Sequence, residues 1–220
     1  MKIASLFSGG KDSAYALFCA MQQGYDVRAL VTLYPQPDSM MFHYPNVDLT
    51  QLQAEAIGIP HVIKKTEKGE EAELAALTDV LRGLKVDAVV SGAVESEYQK
   101  QRIDLICDEL GIMSFAPLWR KRPVPLLHEM LGAGLEIIVT AASAEGLGKE
   151  WLGRKLDAKA VDELAVLQKT KGVHPIFEGG EGETLVTWAP FFRKRLVLEK
   201  AEKKWSGSSG MLHITKAHLA

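Results

Sequence analysis

The sequence predicts an α/β protein: an open parallel five-stranded sheet with helices on both faces, followed by a smaller α+β C-terminal domain. The first half alternates short β-branched or apolar runs with longer helical patterns, the signature of βαβ units. Its opening run ends in SGGKDS (Ser8 to Ser13), directly before a helical pattern, as a strand-to-helix turn in such a sheet does. The end of the chain reads instead as two strands, FRKRLVLEKAEKKW and MLHITKA, around Ser206-Gly207-Ser208-Ser209-Gly210, an antiparallel hairpin with a longer loop.

Taken in order, Lys2 to Phe7, Asp26 to Leu33, His61 to Lys65, Asp87 to Ser91 and a short run near Met113 are the strands. Asp12 to Gly24, Asp48 to Gly58, Glu70 to Leu84 and Glu97 to Gly111 are the helices between them. Ala14, Leu17, Phe18 and Met21 recur at helical spacing, as do Ile103, Ile106, Cys107 and Leu110. Gly24 and Gly111 follow where a glycine stops a helix. Tyr34 to Pro45, rich in proline and aromatic residues, is too long for a tight βα loop and is read as a functional or mobile loop. The texture changes at PLWRKRPVP, so the boundary falls between residues 1–120 and 121–220. Beyond it come a helix from Leu126, a strand Glu136 to Ala142, a glycine-rich connection, a helix from about Ala158 to Lys169, and the hairpin.

Composition narrows the function classes. The chain has 220 residues, 47% hydrophobic and 25% charged, within the range of globular domains. Twenty-six basic against 28 acidic residues leave a charge of −2, which gives no general footprint for nucleic acid or anionic membrane. Two cysteines cannot make a disulfide framework, and no stretch reaches the roughly 20 apolar residues of a membrane span. Met1-Lys2-Ile3 runs straight into a strand, so a cytoplasmic protein is expected. The six histidines lack HxxxH or HExxH spacing, which argues against zinc; His174, just before an acidic loop, is the one worth testing.

The turn Ser8, Gly9, Gly10, Lys11, Asp12, Ser13 has the chemistry of a phosphate cradle. Glycines permit close backbone approach, the first N–H groups of the helix carry the positive end of its dipole, and Lys11 adds a cation. Asp12 is either the N-cap or a magnesium-facing carboxylate. The patterns GxxxxGK[ST] and GxGxxG are both absent, which disfavours a Walker NTPase and a dinucleotide enzyme. The plain alternative is a glycine turn with an N-cap. A second turn, SGAVESEYQKQR (Ser91 to Arg102), lines the same crevice if the first and fourth strands are neighbours; otherwise Ser96 simply caps a solvated helix. FEGGEGET (Phe177 to Thr184) leaves Glu178, Glu181 and Glu183 on a flexible backbone, suited to magnesium, ammonium or base chemistry, or to mere solvation.

SGGKDS resembles the SGGxDS signature of the PP-loop ATP pyrophosphatases, which cleave ATP between the α and β phosphates. Together with SGAVESEYQKQR, PLW, EGLGKEWLGRKLD and EGGEGETLV, in that order over nearly the whole chain, the sequence resembles the diphthine–ammonia ligase family in its short archaeal form. The resemblance implies an adenine nucleotide alpha hydrolase-like fold, with an ATP-binding N-terminal domain and a substrate-binding C-terminal one. The implied reaction is amidation of diphthine on translation elongation factor 2 with ammonium, through an acyl-adenylate, giving diphthamide, AMP and pyrophosphate. ATP and Mg2+ are the implied cofactors, with no membrane partner, nucleic acid disfavoured and self-association left open.

Carried over by position, Ser8, Gly9, Gly10, Lys11, Asp12 and Ser13 bind ATP, with Asp12 as the metal-facing group. Lys11, Asp12, Glu181 and Glu183 are the catalytic candidates. Glu97, Tyr98, Gln99, Arg102, Glu178, Gly179, Gly180 and Thr184 face the substrate. Tyr34, Phe42 and Tyr44 suit closure over adenine or substrate, although ordinary packing explains them as well. Gly182 stands where the family has an aromatic, and Trp188 where it has an aspartate. The rival readings are a tRNA-modifying ATP pyrophosphatase, whose sulfur-transfer members need a reactive cysteine, and a non-catalytic nucleotide sensor. Cys107 lies on an apolar stripe and Cys19 beside one, and the basic spots WRKRP and FFRKR read as solvated surface.

Overall fold

A computed structural model describes residues 1–34, 46, 48–67 and 69–220. The chain divides into two compact units, Met1–Trp119 and Arg120–Ala220. The first runs β1 (Lys2–Leu6), α1 (Lys11–Gln22), β2 (Asp26–Tyr34), α2 (Leu49–Ile57), β3 (His61–Lys65), α3 (Glu70–Leu84), β4 (Ala88–Val90), α4 (Glu97–Leu110) and β5 (Met113–Phe115). All neighbouring strands are parallel, in the order β3-β2-β1-β4-β5. Most of the loop predicted between Tyr34 and Pro45, with Phe42, His43 and Tyr44, lies outside the described residues.

Side chains alternate across a strand, and that period sorts the core. Ala4, Leu6, Val31, Leu33 and Val89 pack on one face with Leu77 and Leu81 of α3 and Ile103, Ile106 and Cys107 of α4. Residues of opposite parity, Ile3, Ser5, Leu30 and Thr32, are also buried, on the face that right-handed crossovers give to α1 and α2. Truncating a fully buried member such as Leu77 to alanine costs about 2–5 kcal/mol. From β1 the chain winds outward through β2 to β3, then crosses back to β4 and β5. The reversal puts β1 beside β4, with Ile3 paired to Ala88 and Ser5 to Val90, and opens a crevice at the carboxyl ends of those two strands. Gly24 (φ 74°) and Gly111 (φ 66°) end α1 and α4 in the left-handed region, as their spacing predicted.

The second unit runs α5 (Pro123–Gly132), β6 (Glu136–Ala142), a 3-10 turn (Lys149–Trp151), α6 (Ala158–Lys171), β7 (Gly182–Trp188), β8 (Leu196–Ser206) and β9 (Ser209–Leu219). Its sheet has the order β7-β6-β9-β8, with antiparallel pairs. The helix expected from Leu126 begins earlier because Pro123 is accepted in a first helical turn, where its missing N–H has no intrahelical partner to lose. Asp157 caps α6 by accepting from the Ala160 N–H at 2.8 Å. The hairpin loop expected to be longer is a tight turn of Gly207 and Ser208, since Ser206 pairs with Ser209. Pairing continues to the tip because Gly210 has no side chain: a Cβ there would lie 2.4 Å from the indole of Trp205, its cross-strand partner.

Candidate functional site

After Leu6 the backbone turns through Gly9, whose φ of 79° suits glycine, and Gly10, which is extended (φ −79°, ψ 170°) and caps α1 with its backbone alone. The helix therefore starts at Lys11, and Asp12 lies within the first turn; it is not the N-cap allowed by the sequence. Hydroxyls brace the turn from inside. Ser13 Oγ donates to Gly10 O at 3.1 Å, accepts the Ser8 N–H at 3.2 Å, and lies 3.1 Å from Ser8 Oγ. Lys11 is buried (2% exposed), with Nζ 2.8 Å from Asp12 Oδ2. Asp12 Oδ1 is buried with no hydrogen-bond partner among the described residues.

Two further segments hold this turn. Gln53 of α2, fully buried, donates from Nε2 to Gly9 O at 2.9 Å. Thr32 Oγ1 of β2 donates to Phe7 O at 2.5 Å and accepts from His61 Nε2 at 2.7 Å, which assigns the imidazole proton to Nε2. His61 Nδ1 is buried without a partner among the described residues, and loss of hydration holds the imidazole below its ordinary pKa. The sequence carries a local signal for Gln53. Thr50, Gln53, Ala54 and Ile57 share one buried helical face, and two polar residues on such a face need partners.

The β4–α4 turn reaches the same crevice. A Cβ at Gly92 would lie 2.7 Å from the Asp12 carbonyl carbon and the Ser13 nitrogen, so the two turns touch through their backbones. Ser96 caps α4 by accepting from the Gln99 N–H at 3.3 Å, with Glu97 in the first turn. Arg102 lies over the Tyr98 ring, its Cζ 3.4 Å from the centroid, and donates to the Tyr98 carbonyl at 3.2 Å. Both side chains also meet Glu70 at the start of α3: Arg102 Nε donates to one carboxylate oxygen and Tyr98 Oη donates to the other at 2.5 Å. Arg102 first, then Tyr98, holds the Glu70 carboxyl below the usual range, while lost hydration and the bond to Glu70 raise the Tyr98 phenol. Spacing gave no hint of Glu70, which joins its partners through a crossover.

The acidic loop belongs to the second unit. Glu181 closes it on itself, accepting the His174 N–H at 2.9 Å on Oε1 and the Gly179 N–H at 2.9 Å on Oε2. His174 thus enters through its backbone. Ser143 donates its N–H to Glu181 O at 2.8 Å and its hydroxyl to Gly180 O at 2.6 Å, tying the loop to the end of β6. Glu183 and Thr184 follow on β7, half-buried, opposite Ala141 and Val139, while Glu178 sits half-buried before Gly179. Gly182 has a steric reason to lack an aromatic: a Cβ would meet Ala141 O at 2.7 Å and the Phe177 ring at 3.2 Å. Phe177, buried and at φ 65°, fills that space from the other end of the loop. Trp188 lies under Arg195 (4.6 Å), which pairs with Glu136 at 2.7 Å.

Among the described residues no group of three or more His, Cys, Asp or Glu is placed to hold a metal, and a magnesium ion at this turn would have the single carboxylate of Asp12 to meet. Cys107 is buried and desolvation pushes its thiol up to about 11, which removes it as a sulfur-transfer nucleophile. No helix of the described residues is long and apolar enough to cross a membrane.

The sequence model of the Diphthamide synthase N-terminal domain matches residues 1–114, and that of the Diphthamide synthase C-terminal domain matches residues 122–220. A diphthine–ammonia ligase of Schizosaccharomyces pombe is 36% identical over 92% of this chain, which spans 37% of that longer protein. The diphthine–ammonia ligase of Danio rerio is 31% identical, over 99% of this chain and 96% of its own length. The human protein of the same name is 30% identical over 92% of this chain and 84% of its own. With a domain of the family matched in each half and relatives of one name along nearly its entire length, the chain belongs to the diphthine–ammonia ligase family, ligases that form a carbon–nitrogen bond.

Proposed function

We propose that the chain amidates diphthine on translation elongation factor 2, using ATP and ammonium and passing through an acyl-adenylate. The observation that carries this reading is the Gly9–Gly10 turn at the sheet's reversal point, backed by a buried lysine and abutted by Gly92. A carboxylate and ammonia do not condense usefully in water, because the carboxylate oxygen is a poor leaving group. The carboxylate oxygen attacks the α-phosphorus of ATP, the bond to the bridging oxygen breaks, and pyrophosphate departs. Ammonia then attacks the acyl carbon, AMP leaves, and one proton is lost to give the amide.

The chain's own residues have separable tasks. Lys11 and the first turn of α1 stabilise negative charge growing on the departing pyrophosphate, and Asp12 orients Lys11 through the 2.8 Å contact. Magnesium held at Asp12 would supply further charge neutralisation. Ser8 and Ser13 keep the turn in shape. Glu97, Tyr98, Gln99 and Arg102 bind the acceptor side, with Glu70 fixing the Tyr98 and Arg102 side chains. In the second unit Glu178, Gly179, Gly180 and Thr184 bind acceptor. Glu183 is preferred over Glu181 for orienting or deprotonating ammonia, since both oxygens of Glu181 already accept backbone N–H groups.

The test mixes protein, ATP and Mg2+ and follows pyrophosphate with and without diphthine-bearing elongation factor and ammonium. Release dependent on both, with conversion to the amide seen by mass, is the expected result. Pyrophosphate without the factor means a different acceptor, and ATP binding without turnover means a nucleotide sensor; either overturns the proposal.

A further inference from the structure

The Gly9–Gly10 pair that lets the turn approach a ligand also makes it ambiguous. Two adjacent glycines pass through left-handed and extended conformations at little cost, so the peptide between them can rotate and exchange the directions of its carbonyl and its N–H. In a planar trans peptide those groups point oppositely, so fixing one fixes the other. In this chain the Gly9 carbonyl is pinned. Gln53, fully buried on α2, donates to it from Nε2 at 2.9 Å, which turns the Gly10 N–H away from α2, to the side where it donates to Ser8 Oγ at 3.4 Å.

Gln53 and Gly9 require each other sterically. A Cβ on Gly9 would lie 2.2 Å from Gln53 Oε1, so the glycine is needed both for its φ of 79° and to admit the amide. The preceding carbonyl, of Phe7, is held from the same side by Thr32 at 2.5 Å. The two carbonyls flanking Ser8 are thus both tied toward β2 and α2. The other side of the turn carries no carbonyl from Phe7 or Gly9, and the Ser8 and Gly10 N–H groups there meet, among the described residues, only the hydroxyls of Ser13 and Ser8.

We infer that Gln53 is a positioning residue for nucleotide binding: it locks the Gly9–Gly10 peptide with its carbonyl toward α2, so that no carbonyl dipole from this peptide faces an anion at the turn. The inference rests on the ATP reading above, but the lock itself is measurable without nucleotide. Three variants separate its parts. Gln53→Met keeps length and loses the donor. Gln53→Glu keeps shape and, while ionised, sets a carboxylate oxygen against the Gly9 carbonyl. Gln53→Glu also regains an O–H donor once protonated, and burial raises the pH at which that happens.

The first readout is hydrogen exchange of the segment covering Gly9 to Asp12 in ligand-free protein, and the second is the Kd for a non-hydrolysable ATP analogue with Mg2+. Gln53→Met should exchange faster in this segment and bind the analogue about tenfold more weakly, the scale of one lost hydrogen bond. Gln53→Glu should bind still more weakly at pH 8 and recover toward the parent as pH falls to 5.5, over a range where the parent's affinity does not follow that course. Recovery with pH is a signature that lost volume cannot produce, and urea unfolding at both pH values separates it from destabilisation by a buried charge, so Gln53→Glu keeps the test decisive even if Gln53→Met fails to fold. Parental exchange and affinity in Gln53→Met, or a flat pH profile in Gln53→Glu, overturns the inference. Altered exchange in a protein whose parent binds no ATP analogue would instead uphold the lock and remove the nucleotide reading.

Discussion

Gly92→Ala tests whether the two turns at the crevice depend on direct backbone contact. Gly92 does not lie in the left-handed region, so a methyl group there acts by bulk alone. Its Cβ would lie 2.7 Å from the Asp12 carbonyl carbon and the Ser13 nitrogen, and 3.0 Å from Asp12 O. Ordinary carbon contacts need about 3.5 Å, so the start of α1 and the β4–α4 turn must separate by roughly 0.8 Å. The atoms in the way are backbone, which cannot rotate aside as a side chain does. Overpacking of this kind costs about 1–3 kcal/mol, and in a chain of this size each kcal/mol lowers Tm by about 2–4 °C. A shift approaching 1 Å in catalytic groups costs on the order of 100-fold in rate. The assays are urea unfolding and ATP-dependent pyrophosphate release. Gly83→Ala is the matched control, since Gly83 lies in α3 with nothing within 4 Å of its Cβ position and should stabilise by about 0.5–1 kcal/mol. Parental stability and turnover in Gly92→Ala, with Gly83→Ala behaving as expected, would refute the claim that the crevice is built on this contact.

Three further outcomes follow from the geometry. Asp12→Asn removes the carboxylate beside buried Lys11, and pyrophosphate release should fall by at least on the order of tenfold with some loss of stability; unchanged release takes Asp12 out of the chemistry. Glu181→Gln can accept only one of the two backbone N–H groups now bonded to the carboxylate, so it should lose about 1–3 kcal/mol in urea unfolding, whereas Glu183→Gln should impair amidation more than ATP binding; the reverse pattern exchanges their roles. His61 has its pKa lowered by burial, so the unfolded chain binds its proton more readily, and stability should fall as pH drops below about 6.5 until the folded-state pKa is passed. His61→Gln should flatten that part of the Tm against pH curve, and an equal slope in both proteins would assign the loss to other groups.

By itself the sequence determined the strands, the helices and the chemistry of the first turn, because those depend on neighbours a few residues apart. The spacing of Ala14, Leu17, Phe18 and Met21, the stops at Gly24 and Gly111, and the small residues and lysine of SGGKDS all act within one or two helical turns. Tertiary structure decided which distant groups answer that local chemistry. Gln53 reaches Gly9 across 44 residues, Glu70 reaches Arg102 across 32, and Gly92 abuts Asp12 and Ser13 because the sheet order sets β4 beside β1. The same holds for Glu181. A loop of glycines and glutamates looks flexible and solvated in one dimension, yet two backbone N–H groups converge on a single side chain and close it. Periodicity reports which face of an element is buried, whereas hydrogen-bond partners depend on how crossovers bring separate elements together, and no local pattern encodes that.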